Sequence, residues 1–260
     1  MLKRILLFAY GLVSYAIFFA TFLYALGFVG NFVVPVTLDG VPRLDTGPAL
    51  AIDIGLLGLF ALQHSLMARP FFKRWLTRLI PEPAERSTYV LFSSLALIAM
   101  FLFWQPLGGD VWDVRDPLWQ AVLYALFAFG WLLVLVSTFL INHFDLFGLR
   151  QVWLQLRGQP YRALKFGTPG PYKLVRHPLY LGWLFAFWAT PTMTGTHLLF
   201  AFMTTAYILV AIRFEEADLI TTHGDQYRRY QEQVPMIVPA LPVTAPSRRP
   251  ESARRAAPQV

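Results

Sequence analysis

No cysteine occurs among the 260 residues, which excludes disulfides, thiolate metal sites and a cysteine nucleophile in any compartment. Charge is scarce as well. Asp, Glu, Lys and Arg together make up 14% of the chain, against roughly 25% in an ordinary soluble domain. From Leu179 to Ile212 there is no Asp, Glu, Lys or Arg. A chain this poor in charge and 56% hydrophobic reads as an all-α, polytopic membrane bundle rather than a soluble domain. Internal repeats are also missing, and this weakens any reading as an inverted-repeat transporter.

The apolar stretches predict four spans in residues 1–150, at about 5–30, 49–67, 87–105 and 118–142, each near the roughly 20 residues that cross a bilayer. The first follows Lys3 and Arg4 and carries no small-residue cleavage site, so it is read as an uncleaved span. Residues 151–239 form a C-terminal module around the charge-free run 179–212. Pro191 to Gly195 (PTMTG) interrupts that run and predicts a helical hairpin, with arms of about twelve and seventeen residues that are short for two ideal crossings.

The distribution of charge tests this topology. Placing the N-terminus, the loops at 68–86 and 143–178, and everything from Arg213 onward on the cytoplasmic side puts 20 of the 22 Lys and Arg inside, leaving Arg43 and Arg115 outside. A single crossing at 179–212 would strand seven arginines on the outer face. The formal charge of +7 is therefore accounted for by membrane loops, and no nucleic-acid partner is implied. The expected location is a bacterial inner membrane, with both termini cytoplasmic. Residues 240–260 are rich in Pro and Arg and are expected to be a disordered basic tail, solvated or resting on anionic membrane lipid.

Chemistry concentrates at the borders of the hairpin. GPYKLVRHPLYLGW (Gly170 to Trp183) sets Arg176, His177 and Pro178 against the start of an apolar helix. Proline suits the first helical position, and the unpaired N–H groups of that turn favour an anion. RFEEADLITTHGDQYRRYQEQVP (Arg213 to Pro235) follows the run, placing Glu215 and Glu216 where it returns to water. An anion-binding end beside an acidic end suits a zwitterionic cation such as S-adenosyl-L-methionine.

The order G-P-Y-x-x-V-R-H-P-x-Y-x-G, then E-E, G-D-Q-Y-x-x-Y and V-P resembles the C-terminal module of the isoprenylcysteine carboxyl methyltransferase superfamily of integral membrane methyltransferases. LFALQHSLMARP (Leu59 to Pro70), ERSTYVLFSS (Glu85 to Ser94) and STFLINHFDLFGLRQVW (Ser137 to Trp153) are similar to a narrower branch, the bacterial methanethiol S-methyltransferases. The resemblance implies S-adenosylmethionine contacts at Leu164, Lys165, Phe166, Gly167, Tyr172, His177, Pro178, Leu179, Tyr180 and Glu215. It also implies a small thiol substrate, methanethiol going to dimethyl sulfide, with hydrogen sulfide as a further acceptor. Enzymes of the superfamily that take a prenylcysteine place an arginine four residues before the glutamate. Here that position is Ala211, which argues against a carboxylate substrate.

Two other readings stand beside this one: an isoprenylcysteine carboxyl or lipid methyltransferase, and a non-catalytic membrane protein or small-solute transporter. Methyl transfer from a sulfonium needs alignment and exclusion of water more than covalent help, and it needs no metal. For a thiol the reactive form is the thiolate, so a proton acceptor is sought. His64, near the inner end of the second span, and His143 with Asp145, below the fourth, are the candidate catalytic residues. Asp53 lies at the outer end of the second span and is expected to be structural, while Glu85 and Arg86 are expected to form a local ion pair. Phe144, Phe147, Phe185, Phe187 and Trp188 are expected to line a small apolar acceptor pocket.

Overall fold

The computed structural model describes residues 1–239; the basic tail expected at 240–260 lies outside the described residues. Helices α1 (Leu2–Gly30), α2 (Thr46–Ala68), α4 (Glu85–Phe103), α5 (Pro117–Ile141) and α9 (Gly195–His223) are each long and apolar enough to cross a membrane. A shorter apolar helix, α8 (Pro178–Trp188), completes the bundle. Between them lie α3 (Pro70–Leu76), α6 (His143–Leu146) and α7 (Leu149–Leu156), with α10 (Asp225–Gln233) after α9. The chain is a multi-pass helical membrane protein. Its perimeter carries exposed large apolar side chains such as Leu12, Leu23, Leu62, Leu102, Leu132 and Phe202, a surface suited to acyl chains and not to water.

The core is built from aromatic rings: Phe28, Phe101, Trp104, Trp131, Phe187 and Phe200 pack as one cluster, with edge-to-face pairs such as Phe187 on Phe200 at 5.0 Å. α4 packs against both α1 and α2, and α8 lies along α5. The α5–α8 crossing depends on two glycines. A Cβ at Gly130 would meet Gly182 O at 2.6 Å, and one at Gly182 would meet Gly130 O at 2.7 Å, so the two backbones touch where any side chain would hold them apart. At eleven residues α8 spans only about 16 Å. The close contact with α5 holds this short helix at its depth.

At one end of the bundle, strand β1 (Asp110–Asp113) pairs antiparallel with β2 (Thr192–Thr194), a small ribbon in an otherwise all-α fold. Asp39 of the α1–α2 loop is bonded by Thr194 Oγ1 and lies 3.1 Å from His197 Nδ1, while Trp104 Nε1 donates to Leu38 O at 3.0 Å. Asp53, fully buried, accepts from Gln105 N–H at 2.9 Å and ties α2 to the chain leaving α4, a structural role. This end holds Arg43 and Arg115; the remaining described Lys and Arg lie toward the opposite end, as the charge tally expects.

The hairpin forms, but its second arm differs from expectation. α9 does not stop at Ile212. It runs 29 residues to His223, roughly 43 Å, carrying Arg213, Glu215 and Glu216 along its side and not in a loop beyond it. No Gly or Pro interrupts residues 196–223, and charge alone does not end a helix. Gly224, at φ 56°, does.

Candidate active site

Glu215 and Glu216 are adjacent on α9 and enter different surroundings, because consecutive helical residues point about 100° apart. Glu216 is saturated. Its Oε1 accepts from Arg176 Nε at 2.7 Å, lies 3.1 Å from His177 Nε2 and receives the Tyr227 hydroxyl at 3.3 Å, and its Oε2 accepts from Gln231 Nε2 at 2.9 Å. Arg176 Nη1 also donates to the carbonyls of Gln231 and Val234, at 3.1 and 2.6 Å. The backbone N–H groups of Arg176 and His177 donate to Pro235 O and Met236 O. Residues 176–177, α10 and the segment after it are thereby latched onto α9.

Glu215 is held by one hydrogen bond, from the Tyr180 hydroxyl to Oε2 at 2.9 Å, and its side chain is 45% exposed against 12% for Glu216. Most of its acceptor capacity remains open. Tyr180 reaches it from the first turn of α8, where Pro178 occupies the first helical position. His177 is buried beneath the two carboxylates, with Nδ1 4.0 Å from Glu215 Oε2. Leu179 follows in the same turn, with its backbone N–H free of an intrahelical partner by position.

The loop before this turn supplies a rim. Leu164, Lys165 and Gly167 are exposed, while Phe166 packs against His223, Tyr227 and Tyr230 at 5.0, 5.8 and 5.6 Å. Tyr230 donates from its hydroxyl to Tyr172 O at 2.5 Å, which fixes the segment carrying Tyr172. Burial pushes the Tyr172 phenol up, and the Glu215 carboxylate adds to the effect. Every sequence-predicted cofactor residue is therefore on this rim, on the first turn of α8 or on the facing side of α9.

His64 joins this region through Tyr89, whose phenol is within electrostatic reach of Glu215. Its Nε2 is 2.8 Å from the Tyr89 hydroxyl and its Nδ1 is 3.1 Å from Ser93 Oγ, with Phe60 stacked on the ring at 5.1 Å. Tyr89, Tyr180 and Tyr207 lie within electrostatic reach of one another, and Tyr89 and Tyr180 also of Glu215. One polar cluster thus draws on α2, α4, α8 and α9. Tyr207 bonds Ser65 Oγ at 3.1 Å, and Arg69 pairs with Asp218 at 3.2 Å, so α2 is fastened to α9 on both sides of Glu215. Ala211 precedes Glu215 by one turn on the same face, which leaves methyl-sized bulk there, while Arg213 is exposed.

His143 and Asp145 are not in this cluster. His143 is 3% exposed and sits between Tyr15 Oη on Nε2 and Thr138 Oγ1 on Nδ1, both at 2.8 Å. Phe139 stacks on it at 4.2 Å and Phe147 meets its edge at 4.8 Å. Burial lowers its affinity for a proton. Asp145 pairs with Arg150 at 2.7 Å and accepts from Tyr161 at 3.3 Å.

Two smaller expectations need correcting, and two residues were not foreseen. Glu85 and Arg86 form no ion pair: the Arg86 guanidinium lies over the Tyr89 ring at 5.7 Å and Glu85 Oε1 is buried without a partner, because neighbours on a helix do not face each other. The aromatics proposed to line one pocket diverge. Phe185 and Trp188 border a groove against α5 with Leu123 and Leu126, Phe187 is in the core, and Phe144 is half exposed beside His143. Tyr89 of α4 and Tyr207 of α9, which lie within electrostatic reach of Tyr180 beside Glu215, were missed. Each is a single tyrosine in an apolar run, and its partner is another helix.

A family model described as phospholipid methyltransferase matches residues 119–226, from α5 into α10. Together with the multi-pass fold this defines the chain as a membrane methyltransferase. It is 56% identical over 240 residues to the methanethiol S-methyltransferase of Crocosphaera subtropica, covering 92% of this chain and 94% of that one. It is 52% identical to the Mycobacterium tuberculosis protein of the same name, over 92% and 98% of the two chains, and 50% identical to methanethiol S-methyltransferase 2 of Bradyrhizobium diazoefficiens, over 93% of each. The chain belongs to the methanethiol S-methyltransferase family. No solved structure matches it.

Proposed function

We propose that this protein transfers the methyl group of S-adenosylmethionine to methanethiol, giving dimethyl sulfide, at the cluster between Glu215 and His64. The observation that carries the reading is the single-bonded, half-exposed Glu215 near a Tyr–His pair, with Ala211 and not a cation one turn before it. The residues fit the donor. Glu215 offers an open carboxylate for its positive charge, and the first turn of α8 at Leu179 and Tyr180 offers free N–H groups for its carboxylate. Tyr172 and the rim Leu164, Lys165, Phe166 and Gly167 border the same place. When bound, the donor supplies a methyl group already activated on a sulfonium.

The remaining residues position these. His177 and Arg176 hold Glu216, and with it the register of α9 that aims Glu215. Pro178 starts α8 so that Tyr180 meets Glu215. His64 is the proton acceptor in this reading, whereas His143 and Asp145 secure the junction of α5, α6 and α7 against α1. Hydrogen sulfide is a second acceptor small enough for the same place. Purified protein supplied with labelled S-adenosylmethionine should label methanethiol and hydrogen sulfide in preference to a farnesylated cysteine. The reverse preference would replace this reading by the prenylcysteine one.

The membrane is the bacterial inner membrane, with the Glu215 end and both termini in the cytoplasm. The chain has no cysteine of its own, so single cysteines report topology cleanly. Val41→Cys should react with an impermeant thiol reagent on intact cells, and Gln159→Cys only after permeabilisation. The opposite pattern inverts the orientation.

A further inference from the structure

We propose that Tyr89 is a catalytic residue: its phenol oxygen receives the proton of the acceptor's S–H while its own proton passes to His64 Nε2. The inference rests on the methanethiol reading above. Three tyrosines face the Glu215 cluster, and their partners differ. Tyr180 donates a hydrogen bond to Glu215, the carboxylate assigned above to the donor's positive charge, and Tyr207 is paired with Ser65. Of the three, Tyr89 is the one bonded to an imidazole, at 2.8 Å from His64 Nε2. Nδ1 has two neighbours at 3.1 Å, Ser93 Oγ and the Tyr89 hydroxyl itself; with the Nδ1 proton assigned to Ser93, Nε2, the nitrogen nearer to the phenol at 2.8 Å, is the acceptor. The order is that of a reacting group, a base and a group that orients the base.

The phenol oxygen keeps acceptor capacity after donating to His64, and Tyr89 remains partly exposed. The charged and titratable groups around it are Arg86, Glu85, Tyr207 and Glu215; Arg86 also lies within electrostatic reach of His64. Arg86 is half-buried, stands over the Tyr89 ring and forms no ion pair among the described residues, so its charge favours negative charge developing on the phenol oxygen and the acceptor sulfur, while it opposes a proton resting on His64; the imidazolium formed in the step is therefore transient and passes its proton on to water.

The step balances. The acceptor sulfur bonds to the methyl carbon as its S–H bond breaks, and the electron pair of that bond stays on sulfur. The thiol proton goes to Tyr89 and the phenol proton to His64. The carbon–sulfonium bond breaks with its pair on the departing sulfur. One positive charge has moved from sulfonium to imidazolium, and both sulfur products are neutral thioethers.

A selenol tests this, because methaneselenol is ionised near neutral pH and needs no proton acceptor, whereas a purely structural role of Tyr89 would affect both acceptors alike. Tyr89→Phe should lower methanethiol turnover by about 100-fold or more and leave methaneselenol turnover largely intact. A second readout needs no turnover. In this cysteine-free protein, the S–H stretching band of methanethiol bound beside S-adenosylhomocysteine stands alone. It should lie below that of the dissolved thiol in the wild type and move back toward it in Tyr89→Phe. If Tyr89→Phe does not fold, as judged by loss of S-adenosylhomocysteine binding, His64→Gln takes its place: thiol turnover should fall, selenol turnover should persist, and the lowered S–H band should remain. The relay requires both the selective kinetic loss and the band shift, and either one missing overturns it. A wild-type protein that methylates neither acceptor defeats the functional reading itself, while equal slowing of both acceptors in the variant defeats only the relay.

Discussion

Two sites in this bundle are built from the same three groups. Tyr89, His64 and Ser93 join α4 to α2, and Tyr15, His143 and Thr138 join α1 to the end of α5. In each, a tyrosine hydroxyl lies 2.8 Å from Nε2 while an aliphatic hydroxyl bonds Nδ1, although the Tyr89 hydroxyl also comes within 3.1 Å of Nδ1. Their surroundings separate them. The first trio has Arg86, Glu85 and Glu215 within electrostatic reach. The second is packed by phenylalanines. A hydrogen-bonded Tyr–His pair therefore does not define chemistry. In the proposed reading the His64 pair is set apart by a neighbouring charge and remaining exposure, because proton transfer needs somewhere for charge to appear.

The largest effect should separate these trios. His64→Ala is expected to cost about 100-fold or more in methanethiol turnover with cofactor affinity retained. His143→Ala, in its cage, should instead cost roughly 2–3 kcal/mol of stability with turnover per folded molecule close to wild type. Thermal unfolding in detergent beside initial rates measures both, and a His143 variant that folds normally but is inactive would erase the distinction.

The two glutamates sharpen the same point at smaller scale. Glu216→Gln leaves the Arg176 guanidinium buried without its counter-charge, which costs on the order of 3 kcal/mol, so unfolding should come at markedly lower temperature and cofactor binding should fall with it. Glu215→Gln removes an exposed carboxylate with one partner. Stability should stay within about 0.5 kcal/mol, while calorimetry should show S-adenosylmethionine affinity reduced about ten- to hundredfold. Unchanged affinity in a folded Glu215→Gln protein would falsify its assignment to the donor.

Sequence made the spans and the Tyr180–Glu215 contact legible for physical reasons. A charge-free run of span length has few fates other than a membrane helix, and expected and observed limits agree within a few residues for spans such as α5 at Pro117–Ile141. Tyr180 and Glu215 stand in recognisable motifs and do meet. What was not legible depends on rotation about helix axes and on distance along the chain. Arg176 and Glu216 are 40 positions apart, and no local pattern shows that one saturates the other. Tyr89 looks like any aromatic in a span until α2 is placed against α4. α9 outran its expected end because its limit is the positive φ of Gly224, not the first charge. Phe144 and Phe187 were grouped as one wall, although they belong to a surface cage and to the core.

The smallest expected effect concerns the latch between α10 and the segment that carries Tyr172. Tyr230 donates to Tyr172 O on the segment beside the first turn of α8, and burial pushes its phenol up to about 12, from an ordinary value near 10. Burial raises the Tyr227 phenol in the same latch, with the Glu216 carboxylate adding to it. A raised value means that the folded state holds the proton more tightly than the unfolded one. The contribution to stability is then complete below about pH 10 and declines as pH rises from there toward about 12. Tyr230→Phe lacks the hydroxyl and cannot show this decline at that position. Below pH 10 the variant should be less stable by about 1 kcal/mol, the usual worth of one hydrogen bond, and the gap to wild type should close between pH 10 and 12. Unfolding curves for the two proteins across that range measure the gap directly. A gap that widens with pH would mean that the Tyr230 hydroxyl ionises more easily in the folded latch than outside it, and the picture of a phenol protected between α10 and the Tyr172 segment would have to be abandoned.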